Sequence, residues 1–190
     1  MKEINNALPS LVFKELQEYI LGCEIPWYHN ESIAYPLTGG IPKNIGVHEK
    51  ESLELTKKLF DKGMTKEQLI YNTYSTHLVY ASDRIFSAEV FEKLQPLIDL
   101  INPKALIRIK INNYPRTPVV VHHQDHIDNT FKHNGALFYV NTNNGLTVVE
   151  KDKEIASVEN KLVLFDSSEP HHSTSSSDVS RRITININYF

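Results

Sequence analysis

Nine histidines occur in the chain, and six of them (His122, His123, His126, His133, His171 and His172) fall in one region. Imidazoles are costly to bury without partners, so such a cluster favours a metal or polar site; the alternative is a solvated cluster with no function. The run His122-His123-Gln124-Asp125-His126-Ile127-Asp128-Asn129 contains His-x-Asp twice. On a strand, residues i and i+2 face the same way, so each pair aims an imidazole and a carboxylate into one space. A histidine from a later strand, His171 or His172, completes a two-histidine, one-carboxylate facial triad. That triad takes three positions of an octahedral iron(II) and leaves the others for a co-substrate and O2. His123-x-Asp125 and His126-x-Asp128 have opposite strand parity, so one at most faces such a site. Periodicity does not choose between them.

Arg181 and Arg182 open the last strand. A planar guanidinium holds a carboxylate by two parallel hydrogen bonds, which lysine cannot reproduce. Thr184 shares a face with Arg182 and adds a hydroxyl donor. A surface arginine on an ordinary strand is the competing reading. Arg108, Lys110 and Arg116 are candidates for a basic lip that takes an acidic substrate, although such charges at strand edges are ordinarily solubilising. Trp27, Tyr28 and Tyr35 suit either a substrate lid or plain core packing.

The elements that must position these groups change in texture along the chain. Ser10 is expected to cap a helix over 11–21. Residues 33–47 read as loop, with Pro36, Gly39, Gly40, Pro42 and Gly46. A second helix is expected over 50–61, ending near Gly63. Ser87 is expected to cap a third helix through Leu100, kinked or shortened by Pro96. From Ala105 the period becomes two: Ala105, Ile107, Ile109 and Ile111 share one face, and Leu106, Arg108, Lys110 and Asn112 the other. Further strands are expected over 119–125, 136–141, 146–150, 161–166 and 182–190. Asn143-Asn144-Gly145 reads as a tight turn, because Asn and Gly tolerate positive φ. Many short strands imply a sandwich or barrel with helices on its flank. The serine-rich stretch 173–177 is too short for a linker, so no domain boundary is placed.

Composition agrees. The chain has 190 residues, 41% hydrophobic and 23% charged, which suits one folded domain. A formal net charge of −3 exerts no pull toward nucleic acid or an anionic membrane. No apolar run approaches the roughly 18–20 residues that cross a bilayer, and residues 1–6 lack the apolar stretch of a secretory signal. Cys23 is the single cysteine, so no intrachain disulfide forms, and a cytoplasmic, reducing setting is expected.

From about residue 104 onward the chain resembles the 2-oxoglutarate/iron(II) dioxygenase superfamily, in particular its prolyl 4-hydroxylase-like branch. His126-Ile127-Asp128-Asn129 is similar to the His-x-Asp-Asn of oxygen-sensing prolyl hydroxylases, Tyr114-Pro115 to a Tyr-Pro of that group, and Tyr139-Val140-Asn141 to its Tyr-Leu-Asn. The tail, His171-His172-Ser173-Thr174 with Asp178, Arg181-Arg182 and Asn186-Ile187-Asn188-Tyr189, is similar to that of small phage-encoded members. Those members carry Gly where this chain has Ser173.

The resemblance implies a mainly β fold with flanking helices and a double-stranded β-helix (jelly roll) core. It implies one dioxygenase domain over 1–190, with 1–103 a helical, loop-rich support and 104–190 the core. It makes His126, Asp128 and His171 the iron(II) ligands, with His172 the alternative to His171. Arg182, Tyr139 and Thr184 would hold the far carboxylate of 2-oxoglutarate, and Tyr114 would line its pocket. It also turns Arg182, Thr184, Asn186 and Asn188 inward and Ile183, Ile185, Ile187 and Tyr189 outward, whereas hydrophobicity alone would put the isoleucines in the core and the asparagines in solvent. The implied activity is O2-dependent hydroxylation of a C–H bond in a peptide or small molecule, with a prolyl residue as the leading candidate. Related halogenases lose the carboxylate that Asp128 supplies, which favours hydroxylation. Nucleic-acid demethylases carry a second arginine where this chain has Asn188, which disfavours nucleic acid. The competing classes are a non-catalytic metal- or carboxylate-binding jelly roll and a purely structural sandwich.

Overall fold

The computed structural model describes residues 1–30, 33 and 71–190. The expected loop over 33–47, except Ile33, the expected helix over 50–61 and Tyr35 lie outside the described residues.

The described residues form eleven strands and three helices: β1 (Lys2–Ile4), α1 (Ser10–Leu21), β2 (Tyr28–Asn30), β3 (Tyr74–Ala81), β4 (Arg84–Ile85), α2 (Ala88–Lys93), α3 (Gln95–Ile101), β5 (Leu106–Pro115), β6 (Asn134–Tyr139), β7 (Leu146–Val149), β8 (Lys153–Ala156), β9 (Lys161–Asp166), β10 (His172–Ser173) and β11 (Arg181–Tyr189). The major sheet runs β1-β9-β6-β11-β5-β3-β2, with β4 paired to β3, and the minor sheet runs β10-β7-β8. From β5 onward the chain crosses between the two sheets: β5, β6, β9 and β11 lie in the large one, β7, β8 and β10 in the small one. This alternation makes a double-stranded β-helix, the jelly roll expected.

The terminal strand shows why the fold holds. Ile183, Ile185 and Ile187 are fully buried in a cluster with Phe13, Leu16 and Ile20 of α1 and Leu97 and Ile98 of α3. Each such side chain removed from water contributes about 1.5–3 kcal/mol. The alternate residues Arg182, Thr184, Asn186 and Asn188 are also buried, on the other face, between the sheets. A smaller apolar cluster of Leu137, Tyr139, Val149, Ile155, Val163 and Phe165 closes that inner space.

Several local expectations are corrected. Residues 119–125 form no regular strand; isolated bridges pair His122 with Thr174 and His126 with His171. Pro118 lacks a backbone donor, and the Ser175 hydroxyl, not a carbonyl, receives the Val121 N–H at 2.9 Å. Side chains thus interrupt the ladder. Pro9, not Ser10, precedes α1. Ser87 does flank α2 but makes no side-chain cap. Pro96 divides the third helix into two, sitting in the first turn of α3, where its missing N–H is harmless. Asn143-Asn144-Gly145 joins strands of different sheets, and neither asparagine has positive φ. β3, eight residues long, was not expected. No helix among the described residues is long and apolar enough to cross a membrane.

Candidate functional site

His126 and His171 face each other as a doubly bonded backbone pair, His126 N–H to His171 O at 2.9 Å and His171 N–H to His126 O at 3.0 Å. Their rings therefore sit side by side, centroids 4.7 Å apart. Asp128 turns into the same space, and one potential ligand atom from each of the three lies within 4.8 Å of the others. His171 Nε2 is 3.8 Å from Asp128 Oδ2. The Nδ1 of His126 meets the carbonyl of Gln124 at 3.3 Å, and that of His171 meets the carbonyl of Glu169 at 2.9 Å. A carbonyl only accepts, so in the neutral rings Nδ1 carries the proton and Nε2 keeps its lone pair. Burial, then the neighbouring His171, push the His126 pKa down to about 4, which keeps that ring neutral near pH 7.

The carboxylate of Asp128 is held from several sides. Oδ1 accepts from Arg108 at 2.7 Å; Oδ2 accepts from Ser167 at 2.7 Å, Asn188 at 2.8 Å and Asn186 at 3.2 Å. Burial opposes its ionisation, but Arg108 and the two histidines keep its pKa well below the usual carboxylate range. Two imidazole lone pairs and an ionised carboxylate at this spacing could hold a divalent metal ion.

The other pair does not converge. His123 is buried, its Nδ1 2.9 Å from the Ser173 hydroxyl and its ring stacked on Tyr114 at 5.5 Å. Asp125 lies outside and bonds His172 Nδ1 at 2.6 Å. His172 also reaches His122, at 3.1 Å, and lines the cleft wall without joining the three.

Arg182 is the largest fully buried side chain described. Its Nε donates to Ser157 Oγ at 3.0 Å, and one Nη donates to Thr147 Oγ1 at 2.9 Å and Leu146 O at 3.2 Å. Its Nη1 is buried with no acceptor in hydrogen-bond geometry among the described residues, and no carboxylate there pairs with it. A buried cation without a counter-charge is expensive, and a carboxylate ligand would offset that. Tyr114 and Tyr139 flank the guanidinium, 5.2 and 5.8 Å from their ring centroids, and Tyr139 donates to Thr147 at 2.8 Å. Gly145 admits this packing through its size, because a Cβ there would stand 2.6 Å from Arg182 Cδ. Arg181 points elsewhere, to the carbonyl of Leu21 at the end of α1.

Strand register orders these groups. Along β11, Arg182 stands opposite Tyr114, Thr184 opposite Asn112, Asn186 opposite Lys110, and Asn188 opposite Arg108. On the other side Thr184 faces Tyr139 and Asn186 faces Leu137. A cleft runs over these rows, lined among others by Lys110, Tyr114, His126, Asp128, His171 and Arg182. Sequence reasoning missed the cradle of Asp128 (Arg108, Ser167, Asn186 and Asn188) and the supports of Arg182 (Thr147 and Ser157). A signal for Arg108 existed: it has the same strand parity as Tyr114.

No protein-family model matches the chain, and no curated protein matches its sequence. Solved structures do match. The prolyl hydroxylase from Trichoplax adhaerens, in complex with a hypoxia inducible factor oxygen degradation domain peptide fragment, gives a TM-score of 0.57 at 17% identity, covering 100% of this chain and 82% of that one. HygX from Streptomyces hygroscopicus, with nickel, 2-oxoglutarate and hygromycin B bound, gives 0.56 at 8% identity, covering 98% and 81%. A Pseudomonas putida prolyl-4-hydroxylase gives 0.50 at 10% identity, covering 99% and 91%. The chain has the fold of 2-oxoglutarate-dependent, prolyl hydroxylase-like oxygenases.

Proposed function

We propose that this chain is a 2-oxoglutarate- and iron(II)-dependent dioxygenase that hydroxylates a C–H bond, acting as a single domain over 1–190. One observation carries the reading: the His126, Asp128 and His171 cluster shares its cleft with the buried guanidinium of Arg182, which has no carboxylate partner among the described residues. A metal ligand set and a carboxylate anchor in one cavity are what an iron enzyme with a dicarboxylate co-substrate requires.

When bound by His126, Asp128 and His171, iron(II) would supply the O2 chemistry that couples decarboxylation of 2-oxoglutarate to hydroxylation. The protein's own work is positional. The carbonyls of Gln124 and Glu169 fix both histidine tautomers, and Arg108, Ser167 and Asn188 fix the carboxylate. Arg182, steadied by Thr147 and Ser157, takes the far carboxylate of 2-oxoglutarate, with Tyr139, Tyr114 and Thr184 around it. Phe165, whose ring meets His171 edge-on at 5.1 Å, and Leu137 keep water from that wall.

A peptide prolyl residue is the leading substrate, supported by the likeness to a prolyl hydroxylase that holds a peptide. The likeness to HygX, which holds hygromycin B, keeps small molecules in view. The test is succinate release from 2-oxoglutarate with and without iron(II) and O2. Release that needs both, and is lost in Asp128→Ala, is expected. Binding of manganese and 2-oxoglutarate without any release would instead mark a non-catalytic binder.

A further inference from the structure

Among the described residues that line the cleft, Lys110 is the one lysine or arginine that the proposed function does not use. Its side chain projects from the inner face of β5, opposite Asn186, on the row beside the Asp128 cradle. Arg108, two residues earlier, is taken by Asp128. Arg116, the third member of the suspected basic lip, is exposed. Lys110 Nζ touches the Tyr74 hydroxyl at 3.3 Å and lies 5.4 Å from the centroid of that ring. Among the described residues it has no carboxylate in ion-pair contact.

The charges in the cleft do not cancel. Its described lining holds the cations Lys110 and Arg182 and one carboxylate, Asp128, and Asp128 already has Arg108. The two carboxylates of 2-oxoglutarate are matched by Arg182 and by the metal. That leaves one ammonium, largely out of water, facing the space where a primary substrate must sit. Lys110 is four residues from Tyr114, the cross-strand neighbour of Arg182, a separation of about 13 Å along the strand. It therefore serves a different group from the one Arg182 holds. Burial first, and then the guanidinium of Arg108, lower its pKa to about 8, with Asp128 acting more weakly in the opposite direction.

We propose that Lys110 sets substrate specificity by pairing with a carboxylate on the primary substrate, so that the enzyme selects an acid over its neutral analogue. The inference rests on the dioxygenase reading for what happens next to that acid, but not for the binding itself. The carboxylate can belong to a free amino acid or to the end of a peptide.

Matched pairs of probes separate these cases: amino acids with neutral side chains as free acids and as carboxamides, and proline-containing tripeptides with free or amidated C termini. Calorimetry with the manganese-loaded protein and 2-oxoglutarate gives affinity without turnover; stimulated succinate release with iron gives the kinetic counterpart. The acid member of at least one pair is expected to bind tenfold or more tightly than its amide, the order of a charge-assisted hydrogen bond. That ratio should collapse to about one in Lys110→Met and return in part in Lys110→Arg, melting temperatures showing that both variants fold. Preference for the free amino acid names a small-molecule substrate; preference for the tripeptide names a chain end.

Equal binding of acids and amides, a ratio that survives Lys110→Met, or no binding by any probe overturns the proposal. So does a tenfold rise in KM for 2-oxoglutarate in Lys110→Met with the acid-to-amide ratio intact, which assigns the lysine to the co-substrate. Discrimination by calorimetry without any succinate sinks the dioxygenase reading and leaves the role of Lys110 standing. Succinate release without discrimination does the reverse.

Discussion

The guanidinium of Arg108 donates to Oδ1 of Asp128 at 2.7 Å, so the carboxylate of the triad has a resident cation on the oxygen that does not face His171. Asp128 is 6% exposed and Arg108 28%. Removing one partner of so enclosed a pair costs about 3–5 kcal/mol, because the other charge is left without compensation. Arg108→Ala should therefore melt at a markedly lower temperature in the presence of a chelator. Manganese should restore more stability to this variant than it adds to the wild type, since the ion replaces the lost positive charge. Equal gains from manganese would show that Arg108 is not the main counter-charge of Asp128.

Asp128→Ala should abolish iron-dependent succinate release, whereas Asp125→Ala should keep most of it. Asp125 bonds only the rim histidine His172 among the described residues. Comparison of initial rates at saturating iron decides the matter; a dead Asp125 variant beside an active Asp128 variant would relocate the site.

Arg182→Ala should raise KM for 2-oxoglutarate by roughly 10- to 150-fold, the value of a lost charged hydrogen-bond pair of about 1.5–3 kcal/mol. Arg181→Ala should leave KM close to wild type and act on stability, because Arg181 ties α1 to the last strand. Lysine at 182 should not rescue, as it lacks the planar fork. Equal KM effects at 181 and 182 would remove Arg182 from the co-substrate pocket.

Gly145→Ala puts a methyl 2.6 Å from Arg182 Cδ and 2.8 Å from the Ser175 carbonyl. The guanidinium must shift, so KM for 2-oxoglutarate should rise while manganese affinity, set by residues on the other side of the cleft, stays within about twofold. A matching loss of manganese affinity would mean that the whole cavity, and not the anchor alone, has moved.

Acid binding at Lys110 requires the ammonium form. The groups facing it are Arg108, Asp128, Tyr114, Tyr74 and His126. Asp128 stays ionised and His126 neutral around pH 7, and burial pushes Tyr74 up to about 12. With Lys110 at about 8, affinity for a carboxylate probe should be level below that pH. Above it, affinity should fall about tenfold per pH unit. A bound divalent metal should move the fall to lower pH. Affinity that holds level to pH 10 would contradict the assignment.

Much of this was legible because it depends on parity. The alternation of Arg182, Thr184, Asn186 and Asn188 with the isoleucines is written in the chain, and the resemblance said which set turns inward. Tyr114 and Arg182 could be named from the sequence, but their opposition across β5 and β11 could not, since register is a relation between distant segments. The same limit hid the contact of Arg108 with Asp128 and made Lys110 look like an edge charge. β3 escaped because residues on both of its faces are buried or half-buried, which erases the alternation that reveals a strand. Residues 119–125 looked like a strand because β-branched content reports packing preference, whereas a regular ladder also needs main-chain partners throughout, and at Val121 the Ser175 hydroxyl takes that place.

Because His126 and His171 exchange both of their main-chain hydrogen bonds, the gap between those two rings is a property of the peptide backbone. Lys110 and Asn112, on the inner face of β5, take no part in that pair or in the hydrogen bonds that hold Asp128. A descendant of this chain could therefore rewrite positions 110 and 112 and turn to a different class of molecule while the proposed metal site kept the same dimensions.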